Sequence, residues 1–297
     1  MSDYATSPLD GSRIFYRVTS GPRPEALEAA DRSPPAIVLC DGVGCDGYVW
    51  KYLHPALAAS YQVITWHYRG HGKTPTPQDR ARVGIADHVA DLMSILDQAG
   101  VEQAVLIGHS MGVQVALEAL REHADRVAGL VLVCGSPGQP LSMTRNPERA
   151  ELLLRAAQRA VYTMPWLLNG AMRVLLPTEF AYKVATWLEV DTQELLQADF
   201  MPYLHAMARI DLRLFIDTLA AANRHSAVDL LQDIEVPTLI IGGSDDGFTS
   251  PVLSQVMYDR IERSEMFIVE RGTHTTPLEY PDLVCNRVLD FLHRRLI

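Results

Sequence analysis

The chain has 297 residues, 48% of them hydrophobic and 21% charged; this excludes a wholly disordered or collagen-like polymer and, at roughly 150 residues per domain, implies two domains or one large one. Asp and Glu total 36 against 26 Lys and Arg, a net charge of −10, so the basic face that phosphate-backbone binding needs is missing and no nucleic-acid partner is expected. The longest apolar runs, residues 130–134 and 239–241, fall far short of the ~18 residues that span a bilayer, so no integral membrane segment is expected.

The first residues carry neither a basic region nor an apolar one, so no secretory signal is expected and a cytoplasmic location is. Residues 14–18 form an early strand, half of an antiparallel entry hairpin, and the Pro-, Ala- and charge-rich residues 20–35 a surface connection. Residues 36–40 form a buried strand. A helix over 48–59 follows, with Val49, Trp50, Leu53 and Leu57 on one face, and then a strand at 63–66. Ile85, Val89, Leu92, Met93 and Leu96 mark a helix over 85–99 that Gly100 ends in a left-handed turn. A strand at 105–107, a helix from about Met111 and a strand at 130–134 continue the alternation of a parallel α/β sheet.

From 136 to 226 the pattern is helical throughout. Asn146-Pro147 reads as an N-cap with proline at the first helical position. This stretch is rich in large apolar residues: Met143, Met164, Trp166, Met172, Phe180, Trp187, Phe200, Met201, Met207 and Phe215. Strand–helix alternation then resumes at 238–241 (strand), 251–261 (helix), 266–269 (strand) and 281–292 (helix). The expected organisation is therefore an α/β core of residues 1–135 and 227–297 with an inserted helical cap, or lid, of residues 136–226. The four cysteines, Cys40, Cys45, Cys134 and Cys285, show no metal-ligand spacing and read as free thiols.

Chemistry concentrates after the 105–107 strand, in Gly108-His109-Ser110-Met111-Gly112. This G-x-S-x-G lies between a strand and a helix, where a sharp turn lifts a serine hydroxyl clear of the sheet at a helix N-terminus. The Met111 N–H then faces a developing oxyanion, assisted by the helix dipole. A serine hydroxyl needs a base, and the base a group to orient it. Two later loops offer them at strand carboxyl ends, where open α/β sheets place their ligands. Gly243-Ser244-Asp245-Asp246 holds two adjacent carboxylates that chemistry alone does not separate, and Gly272-Thr273-His274 holds a histidine suited to general base. A rate that falls on the acid side, as that imidazole takes up a proton, follows. A second oxyanion donor belongs in the loop Asp41-Gly42-Val43-Gly44, where the Val43 N–H is the best placed.

That same loop, Gly42-x-Gly44-x-x-Gly47, also matches the dinucleotide fingerprint. No acidic residue ends the next strand, although Arg69 is available to a 2′-phosphate. Tyr48, Val49 and Trp50 are bulky where a pyrophosphate would approach. An NADP-binding oxidoreductase is therefore the weaker alternative, since it leaves Ser110, Asp246 and His274 without a role.

Taken together, these segments resemble the α/β-hydrolase superfamily, over nearly the whole chain. Gly108 to Gly112 looks like its nucleophile elbow, Arg69-Gly70-His71-Gly72 like the turn after the preceding strand, Val236-Pro237-Thr238 to Asp246 like the acid loop, and His274 with Glu279-Tyr280-Pro281 like the histidine loop. The resemblance implies a mostly parallel, eight-stranded sheet with helices on both faces and an inserted helical cap. It places the acid three residues after a glycine, which selects Asp246. It implies a serine hydrolase of esterase or lipase type, with Ser110, His274 and Asp246 catalytic, Val43 and Met111 as oxyanion donors, and no metal or organic cofactor. The chain departs from the usual pattern in carrying Asp41-Gly42 where many members have His-Gly, so the Asp41 side chain is expected to turn away from the oxyanion. Serine rather than aspartate at the elbow argues against the dehalogenase and epoxide-hydrolase branches. The expected reaction is cleavage of a small or medium apolar carboxylic ester. The same triad in this superfamily also serves peracid formation, lactone or thioester hydrolysis and carbon–carbon cleavage, and some members of the fold are ligand receptors with little turnover. The expected partner is the small-molecule ester alone; the sequence does not choose between monomer and homo-oligomer.

Overall fold

The computed structural model describes residues 2–21, 34–143, 147–189 and 195–296. Eight strands form one sheet: β1 (Ser2–Thr6), β2 (Arg13–Ser20), β3 (Ala36–Cys40), β4 (Gln62–Trp66), β5 (Ala104–His109), β6 (Val127–Val133), β7 (Thr238–Gly243) and β8 (Ser264–Val269), in the order β1-β2-β4-β3-β5-β6-β7-β8. The β1–β2 and β2–β4 pairs are antiparallel, and every other pair is parallel. The chain runs from β3 outward to β4, then crosses back to β5 and onward to β8. The point where the order reverses therefore lies between β3 and β5, and the crevice at their carboxyl ends is where such a sheet binds ligands.

β3 and β5 are buried along their whole length, which explains their continuous apolar runs, since both faces are covered. Val38, Cys40, Leu106 and Leu132 pack on one face with α2 (Ile85–Ala99) and α3 (Met111–Glu122). Ile37, Leu39, Val105, Ile107 and Val131 pack on the other, against Trp50, Leu57, Val288 and Phe291. The helix expected over 48–59 is divided into a single 3-10 turn, Tyr48–Trp50, and α1 (Leu53–Ala58). Pro55 supplies the reason: it has no N–H to return to the Lys51 carbonyl, and its ring crowds that carbonyl. The four residues assigned to one face of that helix are nonetheless buried there. Gly100 ends α2 at φ 66°, as its sequence position implies.

Between β6 and β7 the described residues contain five α-helices: α4 (Pro147–Thr163), α5 (Pro165–Leu175), α6 (Glu179–Glu189), α7 (Gln197–Met207) and α8 (Leu212–Arg224). They form the inserted cap. Prolines open both α4 and α5, at a position that loses no hydrogen bond; Asn146, the N-cap expected for α4, lies outside the described residues, as do positions 22–33 of the surface connection and the side chains of Met143 and Trp187. The cap's apolar residues divide in two. Phe200 and Met207 are buried, whereas Trp166 and Phe180 are largely exposed. α7 is tied to the core by Asp199, a buried carboxylate that accepts hydrogen bonds from Lys51 Nζ and from Tyr52 Oη, the latter at 2.7 Å. After β7 follow α9 (Pro251–Arg260), a short α10 (Thr276–Glu279) with no counterpart in the sequence reading, and α11 (Pro281–Leu296).

Candidate active site

Ser110 follows β5 directly and holds φ 55° and ψ −117°, a conformation that side-chain-bearing residues rarely adopt and that costs of order 1–3 kcal/mol. The surrounding glycines make it attainable. A Cβ on Gly108 would lie 2.3 Å from the Gly112 carbonyl oxygen, and one on Gly112 would lie 2.1 Å from the Cys40 carbonyl oxygen. The elbow thus folds tightly against the end of β3 because both positions lack side chains. The Ser110 N–H donates to Val133 O at 3.1 Å, fixing the turn to β6, and the serine stands at the N-terminus of α3.

The expected acid and base lie in the loops that follow β7 and β8. His274 Nδ1 lies 3.0 Å from Asp246 Oδ2. Since a carboxylate only accepts, the proton is on Nδ1, which leaves Nε2 free to take another. Asp246 is buried and also accepts from the Phe248 N–H, the Thr249 N–H and the Thr249 hydroxyl. Burial by itself would raise its pKa, but the charge of His274 and the bonds from His274 and Thr249 outweigh burial and hold it below the usual carboxylate value. Asp245 is exposed and, among the described residues, its side chain bonds only the neighbouring Ser244 hydroxyl. Of the two aspartates that chemistry could not separate, Asp246 is the one brought to the histidine. The loops meet because Gly243 has no side chain: a Cβ there would lie 2.2 Å from the Gly272 carbonyl oxygen.

No hydrogen bond joins the Ser110 hydroxyl to His274 among the described residues. The two are brought together through His109. Its Nε2 donates to the His274 carbonyl at 2.9 Å, and the two rings lie 4.9 Å apart. Burial, then the nearby charge of His274, pushes the His109 pKa down to about 3, so this imidazole is neutral. Catalytic serine–histidine bonds are commonly long before substrate binds and tighten afterwards.

The loop expected to supply the second oxyanion donor lies beside the elbow. A Cβ added to Gly42 would be 3.1 Å from Ser110 Cβ. The Val43 N–H makes no hydrogen bond among the described residues, nor does that of Met111 at the first position of α3. From above, Met207 of α7 and Phe215 of α8 close over Gly44, so two of the cap's large apolar residues face this loop. Asp41 is buried and lines a cavity whose wall includes neither Ser110 nor His274. Its carbonyl accepts from Tyr68 Oη at 2.9 Å.

Three contributors carried no role in the sequence reading. Thr249 braces Asp246 and approaches His274 Nδ1 at 3.3 Å; its place three residues after an aspartate is a local turn pattern that could have marked it. His109 was read only as the variable residue of the motif. Glu279 is buried and accepts from the Thr273 N–H and the hydroxyls of Thr273 and Thr275, so it pins the backbone on either side of His274. Arg69, by contrast, is not available to a nucleotide phosphate. It is fully buried in a bidentate pair with Asp91 at 2.6 and 2.8 Å, with Asp10 accepting from Nη1 and the Ser7 hydroxyl also accepting from Nη2, and this removes the cation on which the dinucleotide reading depended. All four cysteines are free thiols. No helix among the described residues is long and apolar enough to cross a membrane.

A family model described as the alpha/beta hydrolase fold matches residues 35–281. A curated relative from Klebsiella pneumoniae, named a putative carbamate hydrolase RutD, is 26% identical over 244 residues, covering 81% of this chain and 84% of its own. Among solved structures, a bromoperoxidase from Bacillus anthracis superposes with a TM-score of 0.77 at 20% identity, covering 99% of this chain and 100% of its own. An esterase from Exiguobacterium antarcticum superposes with a TM-score of 0.74 at 18% identity, again covering 99% and 100%. At these identities the two structures establish the fold.

Proposed function

Because the chain belongs to the α/β-hydrolase fold family, we propose that it hydrolyses a carboxylic ester of a small or medium apolar substrate through an acyl-enzyme on Ser110. The observation that carries this reading is the 3.0 Å bond from His274 Nδ1 to Asp246 beside a serine held at φ 55°. Ser110 Oγ attacks the ester carbonyl carbon as its proton passes to His274 Nε2. The carbonyl oxygen becomes an oxyanion and accepts from the Val43 and Met111 N–H groups, which have no other hydrogen-bond partner among the described residues. Collapse breaks the bond to the alcohol oxygen, which leaves with the proton from His274. Water then attacks the acyl-enzyme by the same route and frees the acid. Asp246 remains ionised throughout and holds the imidazole in its Nδ1–H tautomer. Met207 and Phe215 above the loop supply an apolar ceiling, which favours an apolar acyl or alcohol group.

The test is a fluorophosphonate probe with an ester panel that varies acyl and alcohol length. Stoichiometric labelling that Ser110→Ala abolishes, with turnover of at least one ester class, supports the reading. Labelling without turnover across the panel would instead indicate a ligand receptor. Carbamates belong in the same panel, because one relative is named for them and the same attack on a carbonyl serves them.

A further inference from the structure

Behind the oxyanion loop, on the side away from Ser110, lies a second cavity of about 400 Å³, within the range of small-molecule sites. Its floor comes from Leu39 and Thr65 of the sheet and from Trp50, and its cover from Ala206 and Ile210 at the end of α7. Three exposed cations stand on its wall, Arg17 of β2, Lys73 after β4 and Arg209 after α7. None of the three forms an ion pair among the described residues; Lys73 lies over the Phe15 ring at 4.9 Å. Lys51, also on the wall, is already committed to Asp199.

The acidic residues here do not cancel this charge. Burial, reinforced by the Asp46 carboxylate, pushes Asp41 up to about 8, so at neutral pH it is a neutral acid. Asp46 alone remains as a counter-charge, near Arg209. Three unpaired cations against one carboxylate leave a surplus of two positive charges, in a chain whose net charge is −10. The Asp41 carboxyl on the wall is buried beside the Trp50 indole N–H and the Gly47 backbone N–H.

We infer that this cavity is a binding site for a small organic dianion, a phosphate monoester or a dicarboxylate, whose charge Arg17, Lys73 and Arg209 neutralise and whose body packs against Trp50 and Phe15. The site is distinct from the one proposed for ester cleavage, yet adjoins it through two shared segments. Asp41, Asp46 and Gly47 of the oxyanion loop form part of its wall, while Gly42 of the same loop abuts Ser110. Ala206 and Ile210 face the cavity, while Met207 between them packs on Gly44. Occupancy therefore bears on the backbone that would hold the oxyanion.

Isothermal titration of the full chain with phenyl phosphate and with benzylmalonate at fixed ionic strength tests the inference, with benzyl alcohol as the uncharged control. Saturable binding of one equivalent of either dianion is expected, and none of the alcohol; the tighter of the two identifies the head group. Arg17→Gln and Arg209→Gln, both exposed positions, should each weaken binding by about 10-fold, the loss of one charge-assisted contact. Ser110→Ala should leave the affinity within about twofold, well under the tenfold of a lost contact. Absence of saturation by both dianions up to about 10 mM, where affinity is negligible, would overturn the site. So would an affinity that neither arginine variant changes, or one lost with Ser110→Ala. None of these readouts depends on ester turnover, so failure of the hydrolase reading and failure of this one are separable.

Discussion

His109 Nε2 donates a 2.9 Å hydrogen bond to the backbone carbonyl of His274, so the residue before the proposed nucleophile holds the main chain of the proposed base. β5 and β8 are not neighbours in the sheet, and this contact spans the gap between them. It fixes a distance that the triad geometry alone leaves to two independent loops. His109→Phe keeps a ring of similar size in contact with Trp50 but removes the donor. Turnover should fall by up to about 10²-fold, the scale of a displacement near 1 Å, with KM little changed. His109→Gln, which restores a donor, should recover part of the loss. Steady-state kinetics of the two variants decides the matter; equal rates for both would show that the bond does not position the base.

The two aspartates should separate sharply. Asp246→Asn leaves the histidine without its acceptor and favours the wrong tautomer, a change worth about 10⁴-fold in kcat where such a pair has been dissected. Asp245→Asn alters an exposed side chain bonded to Ser244 and should retain most activity. Kinetics of both on one ester, with thermal melts to confirm folding, distinguishes them. The reverse pattern would reassign the acid.

Stability should depend on pH through buried groups outside the serine, histidine and aspartate of the proposed triad. Asp41 is raised from its ordinary value of 3.8 to about 8. Between those values the unfolded chain has lost this proton and the folded chain keeps it, so stability falls as pH rises through the window. Asp41→Asn removes the effect. Its melting temperature should match the parent near pH 4 and exceed it by several degrees at pH 8, at about 2–4 °C per kcal/mol. His71 and His67, each pushed down to about 4 chiefly by burial, act in the opposite sense. Below pH 6.5 the unfolded chain takes up protons that the folded chain does not, so both proteins should lose stability between pH 6.5 and 4. Melting curves across pH 4 to 8 test both signs.

Two glycines of the α/β core should respond very differently to alanine. At Gly112 the new Cβ would meet the Cys40 and Asp41 carbonyl oxygens at 2.1 and 2.8 Å. Both are main-chain atoms that cannot yield without moving β3, so the cost should reach about 3 kcal/mol or more. At Gly100 nothing lies within 4 Å and only φ +66° opposes a side chain, a cost of about 1 kcal/mol. Urea unfolding midpoints of Gly112→Ala and Gly100→Ala compare them directly; similar losses would mean that the elbow tolerates a side chain.

The α/β alternation, the helical insertion, the elbow and the chain order of serine, acid and histidine are all legible in the amino-acid sequence. Each is set by local periodicity or by residues within a few positions of one another, and such patterns need no tertiary knowledge. The acid needed more. Asp245 and Asp246 are chemically identical; the resemblance to a family pattern selects Asp246, and the physical difference between them, burial and the approach of the loop after β8, is supplied only by the folded sheet. The same holds for His109 and Thr249, whose partners lie 165 and 25 residues away in the chain, and for Arg69, a plausible phosphate ligand until its burial against Asp91 is seen. Trp166 and Phe180 look like core residues in sequence, yet are 77% and 73% exposed, because helical periodicity defines an apolar face without specifying what packs against it. The cationic cavity behind the oxyanion loop has no sequence signature at all. Arg17, Lys73 and Arg209 come from three distant segments, and only the tertiary fold brings their charges to one wall.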